Sequence, residues 1–338
     1  MIYPWNDALW KTLQARSDGP NGAILLAGPR GVGKRSFART LAQGILCAEH
    51  QSNGKPCGQC LSCRLFMSDA HPDVRLVEPL ADEGRAEAQD LPVGTGVLSR
   101  EARAITVGQV RELTDFLIVG SQLGAGKVVL IQPAERLHAS AASALLKTLE
   151  EPLPETAFIL VADHPQRLPA TARGRCFRLD FPVPPPEAAL RWLVSEGVDH
   201  PQIALAQAGF APLSAAELGR GNFWSRRATF SDLFVSPHAD PEDIAARVDP
   251  GELPLVCQLL QRWCYDLVSM RFTRQVRYNP DYAEKLQGLA DNADVHELQR
   301  LMDELVAATR ALEHPLNPRL VIENLAIRYT RMIPRQHH

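Results

Sequence analysis

The chain has 338 residues, 45% apolar and 22% charged, enough for two or three domains and at least one sizeable core. A net charge of −3 argues against a protein that grips a polyanion unaided, because a lone DNA binder carries a basic face. No apolar run reaches the roughly eighteen residues needed to cross a bilayer, and "MIYPWNDALWK" lacks the basic start and apolar stretch of a signal peptide, so a cytoplasmic chain without membrane contact is expected.

The first 180 or so residues alternate strand-like and helical patterns. Apolar runs at Ala23–Ala27, Val74–Val77, Val128–Ile131, Phe158–Val161 and Cys176–Phe181 predict strands. Arg35–Cys47, Val107–Val119 and Ala139–Glu150 predict helices between them. That alternation predicts a parallel sheet covered on both faces. The polar, glycine-bearing stretch Ala81–Ala104 predicts a surface loop. "FPVPPPEAALRWLV" predicts a stiff linker in which Pro186 opens the next helix. Beyond it only helices are expected, first a small set at Glu187–Val194, Gln202–Gln207 and Ser214–Leu218. Farther on, Asp294 and Glu297 form a capping pair ahead of Val295, Leu298, Leu301, Met302, Leu305 and Val306, and Asn317 caps a helix opening on Pro318. Cys257 and Cys264, seven residues apart, are expected in a helical core. The boundaries predict three domains, 1–181, 182–221 and 222–338.

"AILLAGPRGVGKRSF" carries a phosphate-loop pattern. Gly28, Gly31 and Gly33 let backbone amides approach phosphate oxygens, the following helix adds positive potential, and Lys34 reaches the terminal phosphates. The magnesium-holding hydroxyl that follows the lysine in working loops is replaced by Arg35. Ser36 comes one position late, about 100° round the helix. A guanidinium about 5 Å from a divalent cation opposes it by at most roughly 6 kcal/mol at an effective dielectric near 20. A strand-end acid that would hold the metal is also missing, since "GKVVLIQPAERLH" ends in Gln132 and Pro133, with Glu135 past the strand. ATP binding is therefore expected to be weak or absent, and turnover negligible.

Cys47, Cys57, Cys60 and Cys63 fall within seventeen residues, a module of about 47–66. Four thiolates at this spacing complete a closed tetrahedral shell for structural Zn²⁺. His50 and His71 are spare donors nearby and are expected on the surface.

A phosphate loop followed by a cysteine module, "ITVGQVREL", "GAGKVVLI", "ASALLKTLEEPLPETAFILVADHPQRLPATARGRC" and "NPRLVIENL", in that order, resembles the delta-prime family of the bacterial DNA polymerase III clamp loader, a branch of the AAA+ proteins. The resemblance spans nearly the whole chain. It implies an AAA+ P-loop domain with an inserted zinc module, a small helical lid, and an all-α C-terminal collar. It further implies a subunit that joins motor (gamma/tau) and delta subunits, and reaches the sliding clamp and primed DNA through that complex. The family's Ser-Arg-Cys motif maps onto Gly174, Arg175 and Cys176, so the resemblance makes Arg175 an arginine finger serving ATP on a neighbouring motor; Arg173 is the alternative. Gly174 departs from the family serine. The γ-phosphate-sensing position falls on Ala162, and "AQAGFAPLSAAELG" has no arginine, with Arg191 and Arg220 flanking it on faces expected to be solvated. The rival within the branch, an active motor subunit, would keep the magnesium hydroxyl and the strand-end acid that Arg35, Gln132 and Pro133 displace.

Overall fold

The computed structural model describes residues 1–15, 22–79, 104–151, 153–219, 222–235, 240–312 and 317–332. They form two compact units, one within Met1–Pro185 and the other from Pro186 onward. The stretch 81–104, apart from Ala104, lies outside the described residues, as does Arg220.

In the first unit β1 (Gly22–Ala27), β2 (Val74–Val77), β3 (Lys127–Ile131), β4 (Thr156–Ala162) and β5 (Phe177–Asp180) make one parallel sheet in the order β2-β3-β4-β1-β5. Each predicted strand is present. The fifth begins after Cys176, whose amide still bonds Arg173 O in the turn before it. Six helices accompany the sheet among the described residues: α1 (Asp7–Gln14), α2 (Lys34–Ile45), α3 (Leu61–Met67), α4 (Val107–Ile118), α5 (Ala139–Glu150) and α6 (Ala170–Gly174). Helices α4 to α6 bury Leu25, Val129, Ile131, Phe158 and Leu160 in one core. Helix α2 packs on β1, β3 and β4, and its Phe37 meets Trp10 and Phe181 edge-on at 5.5 and 5.0 Å. Cover on both faces is why the central strands read as unbroken apolar runs.

The second unit is helical throughout its described residues. Helices α7 (Pro186–Ser195), α8 (Pro201–Gln207) and α9 (Pro212–Leu218) share a small core of Ala189, Leu193, Ala204, Leu205 and Ala215. Then come α10 (Phe223–Val235), α11 (Pro241–Arg247), α12 (Leu253–Thr273), α13 (Ala283–Asn292), α14 (Val295–Ala311) and α15 (Pro318–Met332). A second core gathers around Trp263 of α12, whose indole donates to the Tyr329 hydroxyl at 3.1 Å. Cys257 and Cys264 lie buried in that core, and burial pushes the Cys257 thiol up to about 12. The α14 start is simpler than a full capping box: Asp294 accepts from the amides of His296 and Glu297, but the Glu297 carboxylate turns to Arg300 at 2.7 Å instead of back to the cap. Val295 and Val306 face outward on α14, leaving Leu298, Leu301 and Leu305 as its buried stripe. Asn317 accepts from Arg319 N at 3.1 Å and caps α15 as expected.

One polar hub sits inside this unit. Asp266 of α12 is fully buried and accepts from the amides of Arg277, Tyr278 and Asn279 and from the Asn279 side chain. The loop so gathered receives Gln207 of α8, which donates to Tyr278 O and Asn279 Oδ1, and Arg227 of α10, which pairs with Asp281.

Candidate functional site

The glycine-rich loop joins β1 to α2, as its sequence requires. Gly28 is held at φ 152°, and a Cβ there would lie 2.3 Å from Phe181 O, so only glycine fits between the loop and the chain leaving β5. Gly33 precedes α2 at φ 99°, and a Cβ there would meet Tyr3 and Asn6 at 2.8 and 2.9 Å. The N-terminal segment thus lies against the loop, and Trp5 Nε1 and Asn6 Nδ2 both donate to Val32 O at 2.9 Å.

Lys34 is 3% exposed. Its ammonium donates to Gly28 O at 2.7 Å and Pro29 O at 2.6 Å and pairs with Asp163 Oδ1 at 2.6 Å. Burial lowers its pKa, and the Asp163 charge draws it partly back. Arg35 is exposed, and its charge adds a small lowering of the Lys34 pKa. At the end of β3, Gln132 is buried and donates to Glu78 Oε1 at 2.9 Å. Glu135 stands past the strand end, as predicted, in the short turn Ala134–Arg136, and its Oε1 accepts from the amides of Asp163 and His164 at 3.0 and 3.1 Å. Ala162 closes β4 with no polar side chain.

The four cysteines come together. Their sulfurs all lie within 4.8 Å of one another, with Cys47 to Cys60 at 4.0 Å and Cys57 to Cys63 at 3.9 Å. A tetrahedral shell with Zn–S near 2.3 Å would place sulfurs about 3.8 Å apart, so the set fits such an ion closely. Amides point at the sulfurs: Cys57 N at Cys47, Gln59 N and Cys60 N at Cys57, and Cys63 N at Cys60. Such donors offset thiolate charge. The Cys63 amide pulls the Cys60 thiol down to about 6, whereas burial pushes Cys63 up to about 12 and also raises Cys47. A bound dication would deprotonate all four and remove that conflict.

His50 is exposed, as expected, with Nε2 2.7 Å from Gly44 O. His71 is not on the surface. It is buried between Ser62 Oγ (2.9 Å from Nε2) and the Asp73 amide, which donates to Nδ1 at 3.1 Å, and so braces the segment that follows α3.

Arg175 ends α6, its guanidinium 31% exposed and paired with Glu150 at the end of α5; Nη1 also donates to Thr171 O at 2.9 Å. Arg173 instead donates to Pro165 O at 3.3 Å inside the unit.

The family model for the DNA polymerase III delta subunit matches residues 6–185. DNA polymerase III subunit delta' of Pseudomonas aeruginosa is 31% identical over 342 aligned positions, covering 98% of each chain. The chain belongs to the DNA polymerase III delta-prime family. Subunit tau of Bacillus subtilis is 31% identical over 159 positions, but these cover 47% of this chain and 24% of tau. A Thermotoga maritima protein related to the DNA polymerase III gamma subunit superposes with a TM-score of 0.45 at 18% identity, covering 96% and 98% of the two chains. This family member has an α/β unit built on a parallel sheet and, among its described residues, a helical C-terminal half. Among its described residues no helix is long and apolar enough to cross a membrane.

Asp163 and the Tyr3–Asn6 segment are the site residues that sequence reasoning passed over. One signal existed for Asp163: it directly follows β4, and the parallel register pairs Ala27 with Ala162, which brings Gly28 and Asp163 to the same sheet edge.

Proposed function

We propose that this chain is the non-hydrolysing stator subunit of the DNA polymerase III clamp loader. It comprises an AAA+ domain (1–181), a lid (182–221) and a collar (222–338), and sits beside a gamma/tau motor and the delta subunit in the cytoplasm. The assembly opens the sliding clamp and places it on primed DNA. Cys47, Cys57, Cys60 and Cys63 hold one structural Zn²⁺, which fixes the connection from α2 to α3. The loop of Gly28, Gly31, Gly33 and Lys34 binds ATP weakly or not at all.

The observation that carries this reading is a contrast between the two ends of one parallel sheet. The side chains at three nucleotide-serving positions are engaged elsewhere or lack polar atoms: Lys34 is paired internally, Gln132 donates to Glu78, and the Ala162 side chain is a methyl group. Arg175, in contrast, is partly open to solvent on a short helix, anchored by Glu150 and Thr171 O. A guanidinium held in place offers fixed positive charge to the γ-phosphate of ATP on a neighbouring subunit and stabilises charge developing in the transition state.

The test is Arg175→Ala in the reconstituted complex. A finger is worth about 10³–10⁵ in rate at the one site it serves. DNA-stimulated ATPase should fall by the share of turnover that site supports, with the complex still assembled. An unchanged rate would refute the finger assignment.

A further inference from the structure

The geometry points to Asp163 as an internal anion that occupies Lys34 in place of a phosphate and keeps the loop closed. This inference rests on the reading of the loop as idle and supplies its physical cause. An ammonium has three protons to donate. In Lys34 they have three acceptors within 2.7 Å: Gly28 O, Pro29 O and Asp163 Oδ1. No donor remains for an incoming polyphosphate.

The closing group is itself fixed. Glu135 Oε1 takes the amides of Asp163 and His164, which sets the turn after β4 and aims the Asp163 side chain along the sheet edge toward the loop. The other Glu135 oxygen is buried without a hydrogen-bond partner, and its charge acts on Lys34. A phosphate approaching Lys34 therefore meets two carboxylates, one already bonded to the lysine and one with an oxygen that has no hydrogen-bond donor. On the other side Trp5 and Asn6 hold Val32 O, so the loop is pinned at both ends by its own chain. The missing magnesium hydroxyl explains poor hydrolysis; Asp163 explains poor binding, which is a separate property.

The experiment measures binding of magnesium-free ADP and of inorganic tripolyphosphate to the full chain by calorimetry. The wild type, Asp163→Asn, Asp163→Ala and the double variant Lys34→Met/Asp163→Asn are compared, each checked for folding by circular dichroism. Both single variants should bind each ligand at least tenfold tighter than the wild type, and the double variant should lose the gain. Folded single variants that bind no tighter would overturn the inference. A measurement on the unaltered chain stands beside these: acylation of Lys34, followed by mass spectrometry, should be at least tenfold slower than that of exposed Lys11. Equal rates would show the lysine free and the lock absent, whatever the variants do. ATP hydrolysis by the isolated wild-type chain is a different failure, since it would sink the stator reading itself.

Discussion

Replacing Asp266 with alanine tests how the helical half is held together. Both carboxylate oxygens are in use: Oδ1 takes Arg277 N (2.8 Å) and Tyr278 N (3.1 Å), and Oδ2 takes Tyr278 N (3.1 Å), Asn279 N (2.7 Å) and Asn279 Nδ2 (2.8 Å). The Arg277 and Tyr278 amides lie near solvent and can recover water, but both Asn279 donors are in a buried residue. Two orphaned donors at about 1–3 kcal/mol each give a loss of roughly 2–6 kcal/mol, centred near 4. For a unit of this size that lowers the melting temperature by about 8–16 °C. Asp266→Asn keeps the shape yet also fails, because either orientation of the amide turns an N–H₂ toward backbone N–H groups. The assay is urea unfolding of the full chain by circular dichroism, with hydrogen exchange at residues 277–279 as the local reading. If both variants stay within 1 kcal/mol of the wild type and those amides remain protected, the hub is not a structural anchor.

Two further outcomes are expected. Metal analysis should find one zinc per chain, and a strong chelator should open the 47–67 segment to protease while the parallel sheet keeps its circular dichroism; a metal-free preparation with an equally resistant segment contradicts the assignment. Asp73 gives a pH test. Burial alone would raise its pKa, but the Gln122 and Leu123 amides and the Ser121 hydroxyl outweigh burial and hold it below the ordinary value. A carboxylate lowered on folding stabilises above its unfolded pKa of about 3.9 and loses that contribution as pH falls through the folded value. The stability gap between the wild type and Asp73→Asn should be widest above about pH 5 and close in stronger acid; a gap that does not change with pH contradicts the linkage.

What the sequence displays well is local. The five strands, the glycine loop and the cysteine set each depend on residues close in the chain, and their spacing alone foretells β1, the turn into α2 and the gathering of the sulfurs. Helix α12 is harder to read, because Leu255, Leu259 and Asp266 are buried on the face opposite the stripe of Leu253, Cys257, Leu260 and Cys264, which blurs the pattern that periodicity detects. The pairs that fix the site are longer-range still. Lys34 meets Asp163, and Glu135 reaches the turn after β4, only because β1, β4 and β3 are neighbours in the sheet although not in sequence. The burial of His71 escapes periodicity for a different reason, since its partners, Ser62 and the Asp73 amide, are near in sequence but lie in the first turn of α3 and just ahead of β2.

On the proposed reading, these pairings account for a loop that keeps a nucleotide-binding pattern without using it. Gly28 is required by Phe181 O, Gly33 by Tyr3 and Asn6, and Lys34 by two loop carbonyls and the end of β4. Gly28, Gly33 and Lys34 are thus each held by a packing or ion-pair demand that remains when no phosphate is bound. It follows that Lys34→Ala alone is a poor probe of ligand use in this chain. It removes a buried cation from Asp163 and two carbonyls, and a buried group left unpaired costs stability whether or not a ligand ever binds. Only the pair, with Lys34 and Asp163 exchanged singly and together, separates a folding role from a binding role, because the coupling appears in stability for the first and in ligand affinity for the second.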